Sequence, residues 1–153
     1  MDIRADDLRH PQVLALLQVH LHDMAQHSPP ESVHALPSDA LSAPDVHFFS
    51  AWDGDTLMGF GALKQLDAAQ GELKSMRTSP AYLRQGVAEA LLRHLIDHAR
   101  DLGLVRLSLE TGSPQAFAPA RQLYERYGFK ECAPFGDYTE DPYSVFMTLS
   151  LNG

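Results

Sequence analysis

The sequence predicts an α+β domain whose mixed, mainly antiparallel sheet carries helices on both faces. Three observations lead there. Residues 46–78 hold three strand-like runs, separated by Asp53-Gly54-Asp55 and Ala68-Ala69-Gln70-Gly71, turn-forming clusters that fold a chain back on itself. From Val87 the period changes: Val87, Leu91, Leu95, Ala99 and Leu102 recur at spacings of four and three, and Leu92 and Ile96 widen the stripe, as in a helix with one buried face. Beyond it come a strand over 105–111, a helix over 118–127 and strands over 129–133 and 144–151.

The remaining elements are read in order. Residues 2–5 form a short first strand, and Pro11 sits where the first turn of a helix accepts proline. Val13, Leu14, Leu17, Leu21 and Met24 make the apolar side of that helix, which ends before Pro29-Pro30. Residues 31–36 are expected as a short second helix and residues 37–44 as a loop or single turn. The strand over 46–52 mixes alternation with aromatic content. In the strand over 56–66, Gly59 and Gly61 lie one strand period apart and imply a bulge or the close approach of another element. Alternation in the strand over 72–78 puts Glu72, Met76 and Thr78 on one face and Leu73 on the other. Gly103 ends the long helix as a C′ glycine does.

With 153 residues the chain is long enough for one buried core and too short for two, so residues 1–153 are expected to form a single domain. A hydrophobic share of 44% and a charged share of 21% are ordinary for a water-soluble fold, and no apolar run approaches the roughly 18 residues of a membrane span. No membrane partner is expected. The formal net charge of −8, with no lysine- or arginine-rich tract, opposes nucleic acid and slightly favours a cationic partner such as an amine. Met1-Asp2-Ile3-Arg4 lacks a basic leader and an apolar core, and the single Cys132 cannot form an internal disulfide, so a reducing, cytoplasmic location is expected. Cys132 itself reads as a small strand residue. His94 and His98 stand one helical turn apart, yet without Cys or carboxylate partners at ligand spacing no metal is expected.

The start of the long helix is where chemistry is expected. Gly86 allows the backbone close to a ligand, and the first-turn amides lack intrahelical partners and carry the positive end of the helix dipole. That is an anion site, and phosphate is the usual anion. Neither Gly-x-x-x-x-Gly-Lys-Ser/Thr nor Gly-x-Gly-x-x-Gly is present. Instead ELKSMRTSPAYLRQGVA, residues 72–88, resembles the acyl-CoA-binding segment of the GNAT superfamily of N-acyltransferases, whose loop is Gln/Arg-x-x-Gly-x-Gly/Ala. Gly86 and Ala88 match its last two fixed places, while Leu83 stands in place of Gln or Arg. A loop that holds pyrophosphate through main-chain amides tolerates that departure. Ala120-x-x-Leu123-Tyr124-Glu125-x-x-Gly128-Phe129 is similar to the family's C-terminal signature, in the right order.

The resemblance implies the GNAT fold and a transfer of the acetyl group of acetyl-CoA to an amine, expected to be that of a small molecule, by direct attack and without a metal. The alternative is a non-catalytic acyl-CoA-binding or sensing protein of the same fold. Either is compatible with a homodimer. Arg84, Gln85, Gly86, Val87, Ala88 and Glu89 would hold the pyrophosphate, and main-chain groups of Met76, Arg77 and Thr78 the pantetheine arm and acyl carbonyl. Tyr124 would protonate the leaving thiolate, and Glu72 would take the amine's proton, with Glu110 or water as its competitor. Glu110 is alternatively an acceptor-binding group. The early helical region usually shapes the acceptor pocket, which makes His27, Glu31, Ser32 and His34 candidates, and Tyr138 lies in a loop rich in ligand-binding groups. Phe117 replaces the family's asparagine, leaving Thr111 and Ser113 as substitutes.

Overall fold

The computed structural model describes residues 1–27, Pro29 and residues 38–151. The elements are β1 (Asp2–Ala5), α1 (Pro11–His27), α2 (Ser38–Leu41), β2 (Val46–Asp53), β3 (Thr56–Gln65), β4 (Gln70–Thr78), α3 (Val87–Asp101), β5 (Arg106–Gly112), α4 (Ala118–Arg126), β6 (Lys130–Cys132) and β7 (Ser144–Ser150). Seven strands make one sheet in the order β1-β2-β3-β4-β5-β7-β6, antiparallel at every junction except the parallel β4–β5 pair. Helices cover both faces, α1 and α2 over Phe48, Trp52 and Phe60, and α3 over Leu63, Leu73, Leu107 and Leu109. The short helix expected over 31–36 lies outside the described residues, and the single turn expected before β2 is α2.

The buried stripe of α1 differs from the expected one. Val13, Leu16, Leu17 and His20 are buried, spaced as i, i+3, i+4 and i+7, while Leu14 is 38% exposed. An apolar-only reading passes over that stripe because a histidine completes it.

On α3, Val87, Leu91, Leu92, Leu95, Ile96 and Ala99 are buried. Each buried leucine contributes roughly 2 kcal/mol, about twice a typical N-cap, so packing rather than capping holds this helix. Its N-cap is Gly86, with φ +82° and no side-chain cap bond, so the first turn's amides remain open to a ligand. At the other end, Gly103 donates to the Arg100 carbonyl at 2.9 Å and Leu104 to that of Ala99 at 3.1 Å, the paired bonds of a Schellman stop.

β4 departs from simple alternation. Opposite it, Phe60 pairs with Arg77 but Ala62 pairs with Lys74, so β4 carries one extra residue, and Ser75 has φ +54°. This is a β-bulge, which reverses the faces beyond it and bends the strand. The expectation that Glu72, Met76 and Thr78 share a face is therefore corrected. Met76 lies with Leu73 against the α3 side, whereas Glu72 and Lys74 meet Tyr138 and Arg77 meets His20 and Asp23 of α1. Glycine on β3 accommodates the close approach: a Cβ on Gly59 would lie 2.6 Å from the Arg77 carbonyl oxygen.

Candidate active site

The β4–β5 pairing runs only from Gln70–Arg106 to Leu73–Leu109. Beyond it the strands part, β4 bending at its bulge, and the split is a cavity of about 130 Å³ that reaches both faces of the sheet. Met76 and Tyr124 line it from the α3–α4 side, and His20, Glu72, Lys74, Glu110 and Tyr138 from the α1 side.

Tyr124 is 9% exposed, its ring edge-on to Phe129 and its hydroxyl pointing at the Met76 sulfur, 3.9 Å away. Burial, helped by the charge of Glu110, pushes its pKa up to about 12, so the hydroxyl keeps its proton. Burial also raises Glu110, to about 7; Ser144 and Lys74 oppose that rise, and Glu72 and Asp141 add to it. Glu72, only 4% exposed, is tied up: Tyr138 donates to its Oε2 at 2.5 Å, Lys74 lies 3.1 Å from the same oxygen, and Lys74 also donates to the Tyr138 hydroxyl at 2.7 Å. Burial and the Glu72 charge raise the Tyr138 pKa, so it stays the donor.

The loop before α3 is held by a 3₁₀ turn at Pro80–Tyr82 and by Gln85, whose amide donates to the Ala81 carbonyl at 3.3 Å. Arg84 and Gln85 are exposed, and Leu83 is 58% exposed. A Cβ on Gly86 would meet nothing within 4 Å, so the space over the helix N-terminus is open. Val87 packs inward, and Glu89 turns its carboxylate to α4, accepting from the Tyr127 hydroxyl with Arg126 3.9 Å away. What Val87, Ala88 and Glu89 present to a ligand is main-chain N–H, which suits pyrophosphate. Arg77 likewise directs its guanidinium at α1, so its contribution to the cleft is backbone.

Other expected residues fare differently. Phe117 lines the cleft with its ring against Gly112, where any Cβ would come within 2.2 Å of ring carbon, so this corner is an apolar wall in place of an amide. Thr111 also faces the cleft, but the Ser113 hydroxyl donates to the Pro142 carbonyl at 2.5 Å and is no substitute for the missing asparagine. Glu31, Ser32 and His34 lie outside the described residues; His27 is the last residue of α1, and its side chain is likewise outside them. His98 and His47 hydrogen-bond to each other at 3.1 Å, and among the described residues no three His, Cys, Asp or Glu side chains form a metal-holding group. Sequence reasoning missed His20, Met24 and Lys74 as cleft residues; the i+7 place of His20 after Val13 was the available signal.

The fold and the split sheet define a class. The sequence model of the Acetyltransferase (GNAT) family matches residues 13–129. The chain is 56% identical over 151 residues to the uncharacterized N-acetyltransferase YsnE of Bacillus subtilis, covering 99% of this chain and 100% of that protein. A crystal structure of an acyl-CoA N-acyltransferase from Klebsiella pneumoniae superposes with a TM-score of 0.78 at 27% identity, covering 98% of this chain and 97% of that one. The acetyltransferase YncA of Salmonella typhimurium, solved with its cofactor acetyl-CoA, shares the fold with a TM-score of 0.74 at 19% identity over 100% and 95% of the two chains. The protein belongs to the GNAT family and is an acyltransferase of its N-acetyltransferase type.

Proposed function

We propose that this protein transfers the acetyl group of acetyl-CoA to the nitrogen of a small-molecule amine by direct attack, in the cytoplasm. One observation carries the reading: the split between β4 and β5 joins an acid that keeps its proton, Tyr124, to a carboxyl that titrates near neutrality, Glu110. Main-chain amides of Arg84 to Glu89 hold the pyrophosphate, and the β4 edge at Met76, Arg77 and Thr78 holds the pantetheine arm and polarises the acyl carbonyl. The GNAT relative solved with acetyl-CoA supports that choice of donor. The amine enters from the α1 side, past Tyr138 and His20.

As the amine nitrogen attacks the acyl carbon, a C–N bond forms and the C–S bond breaks. The N–H proton passes to a base, and the thiolate takes the Tyr124 proton. Glu110 is the better base than Glu72. With its pKa raised to about 7 it is half ionised at pH 7 and increasingly able to accept a proton above it, while Glu72 is committed to Lys74 and Tyr138, which it holds in place.

The test is thiol release from acetyl-CoA with a panel of amines, measured against pH. Wild type should turn over at least one amine with an acidic limb near the Glu110 pKa of about 7. Glu110→Gln should lower kcat/KM by about 100-fold and remove that limb. If the variant keeps both rate and limb, the proton goes elsewhere; if no amine is acetylated although acetyl-CoA binds, the small-molecule acceptor is wrong.

A further inference from the structure

The buried stripe of α1 includes one polar side chain, His20, 4% exposed and edge-on to Phe60 with ring centroids 6.0 Å apart. Arg77 Nε donates to its Nδ1 at 3.0 Å, and Arg77 Nη1 donates to Asp23 at 2.8 Å. A guanidinium has only donors, so Nδ1 must be the unprotonated nitrogen and the ring proton sits on Nε2. Burial, then the Arg77 charge, lower the His20 pKa to about 4 against the pull of Asp23, so a neutral ring with one fixed proton persists through the physiological range. His20 lines the cleft, and among the described residues nothing accepts its Nε2 proton. Nε2 is not among the sealed-in atoms of the core but opens on the cleft, so an occupant that supplies an acceptor there takes the hydrogen bond that water would otherwise take.

We propose that His20 is a specificity-determining residue of the acceptor end: its Nε2–H hydrogen-bonds an oxygen of the amine substrate, selecting amines with a hydroxyl or carbonyl oxygen beside the nitrogen over plain alkylamines. This rests on the acetyl-transfer reading above and narrows its acceptor.

Two measurements test it. In thiol-release assays with matched pairs, ethanolamine against ethylamine and glycinamide against propylamine, wild type should favour the oxygen-bearing member by about ten-fold or more in kcat/KM. His20→Phe keeps an aromatic ring but no donor, and should erase the preference by raising KM for the oxygen-bearing amine while KM for acetyl-CoA holds. His20→Gln, which restores an N–H, should recover part of it. An equal loss for both members, or a preference that survives in His20→Phe, overturns the proposal. Independently of any acceptor, long-range ¹H–¹⁵N spectra of the whole chain should show His20 as the Nε2–H tautomer from pH 8 to about pH 5. A titration near 6.5 or the opposite tautomer overturns it, even where no amine is acetylated and the acetyl-transfer reading has itself failed.

Discussion

Tyr124 and Glu110 share one cleft in which burial raises both, the phenol from 10.0 to about 12 and the carboxyl from 4.5 to about 7. Between those values the phenol keeps its proton while the carboxylate can accept one, which are the roles proposed for acid and base. Tyr124→Phe removes one hydroxyl whose one hydrogen bond among the described residues is a long one to sulfur, so the fold should stand while turnover drops by about 10- to 1,000-fold, read as kcat with saturating acetyl-CoA. Unchanged kcat would leave the ring a packing role. For Glu110 the sign on stability follows from its raised folded-state pKa: the native state holds the proton more tightly than the unfolded one, so its contribution is fully present below about 4.5 and lost as pH rises through about 7. Glu110→Gln should therefore flatten the fall in melting temperature across that window. The cleft position of Tyr124 was legible because a signature surrounds it, whereas Glu110 was expected only as a competing base or acceptor-binding group on the next strand, with its facing left open. His20 was not legible, since nothing in a run of sequence says that Arg77, 57 positions on, will fix its tautomer.

Two glycines at opposite ends of α3 separate folding from binding. Gly86 and Gly103 have φ of +82° and +81°, and a Cβ on either meets nothing within 4 Å. Alanine at either should therefore cost the same backbone strain, about 1 kcal/mol. Only Gly86 lies at the open helix N-terminus, so Gly86→Ala should weaken acetyl-CoA binding in calorimetry by about ten-fold or more, and Gly103→Ala should leave it alone. Equal affinities in the two variants would take the pyrophosphate away from this loop. Elements were readable wherever period and punctuation agreed: the β2–β3 turn at Gly54, the α3 stripe, the Gly103 stop. The bulge at Ser75 was not, because serine carries no mark of positive φ. One extra residue there inverted every facing beyond it. That is why Glu72 and Met76 were expected together.

At the scale of the molecule, the sheet is two blocks, β1 to β4 and β5 to β7, joined through four residue pairs of β4 and β5 and through the core beneath α3. Past Leu73 and Leu109 the facing edges have no strand partner in each other, so the amides of residues 74–78 and 110–112 lie beside the cleft. A strand edge left open to water exchanges its amide hydrogens readily, and a ligand that occupies the opening both pairs with that edge and stabilises the native state by mass action, about 2.7 kcal/mol at a hundred times its dissociation constant. Acetyl-CoA should consequently slow hydrogen exchange in residues 74–78, 84–90 and 110–112 well beyond the rest of the chain, and raise the melting temperature by roughly 5 to 10 °C. Gly86→Ala should weaken both effects at the same ligand concentration, a ten-fold loss of affinity roughly halving the rise in melting temperature. Protection confined to residues 84–90 would mean that pyrophosphate is held at α3 but the pantetheine arm does not run along β4, and the acyl group would then not reach Tyr124 and Glu110. Uniform protection across the sheet would mean that the two blocks already move as one and that ligand adds no bridge between them.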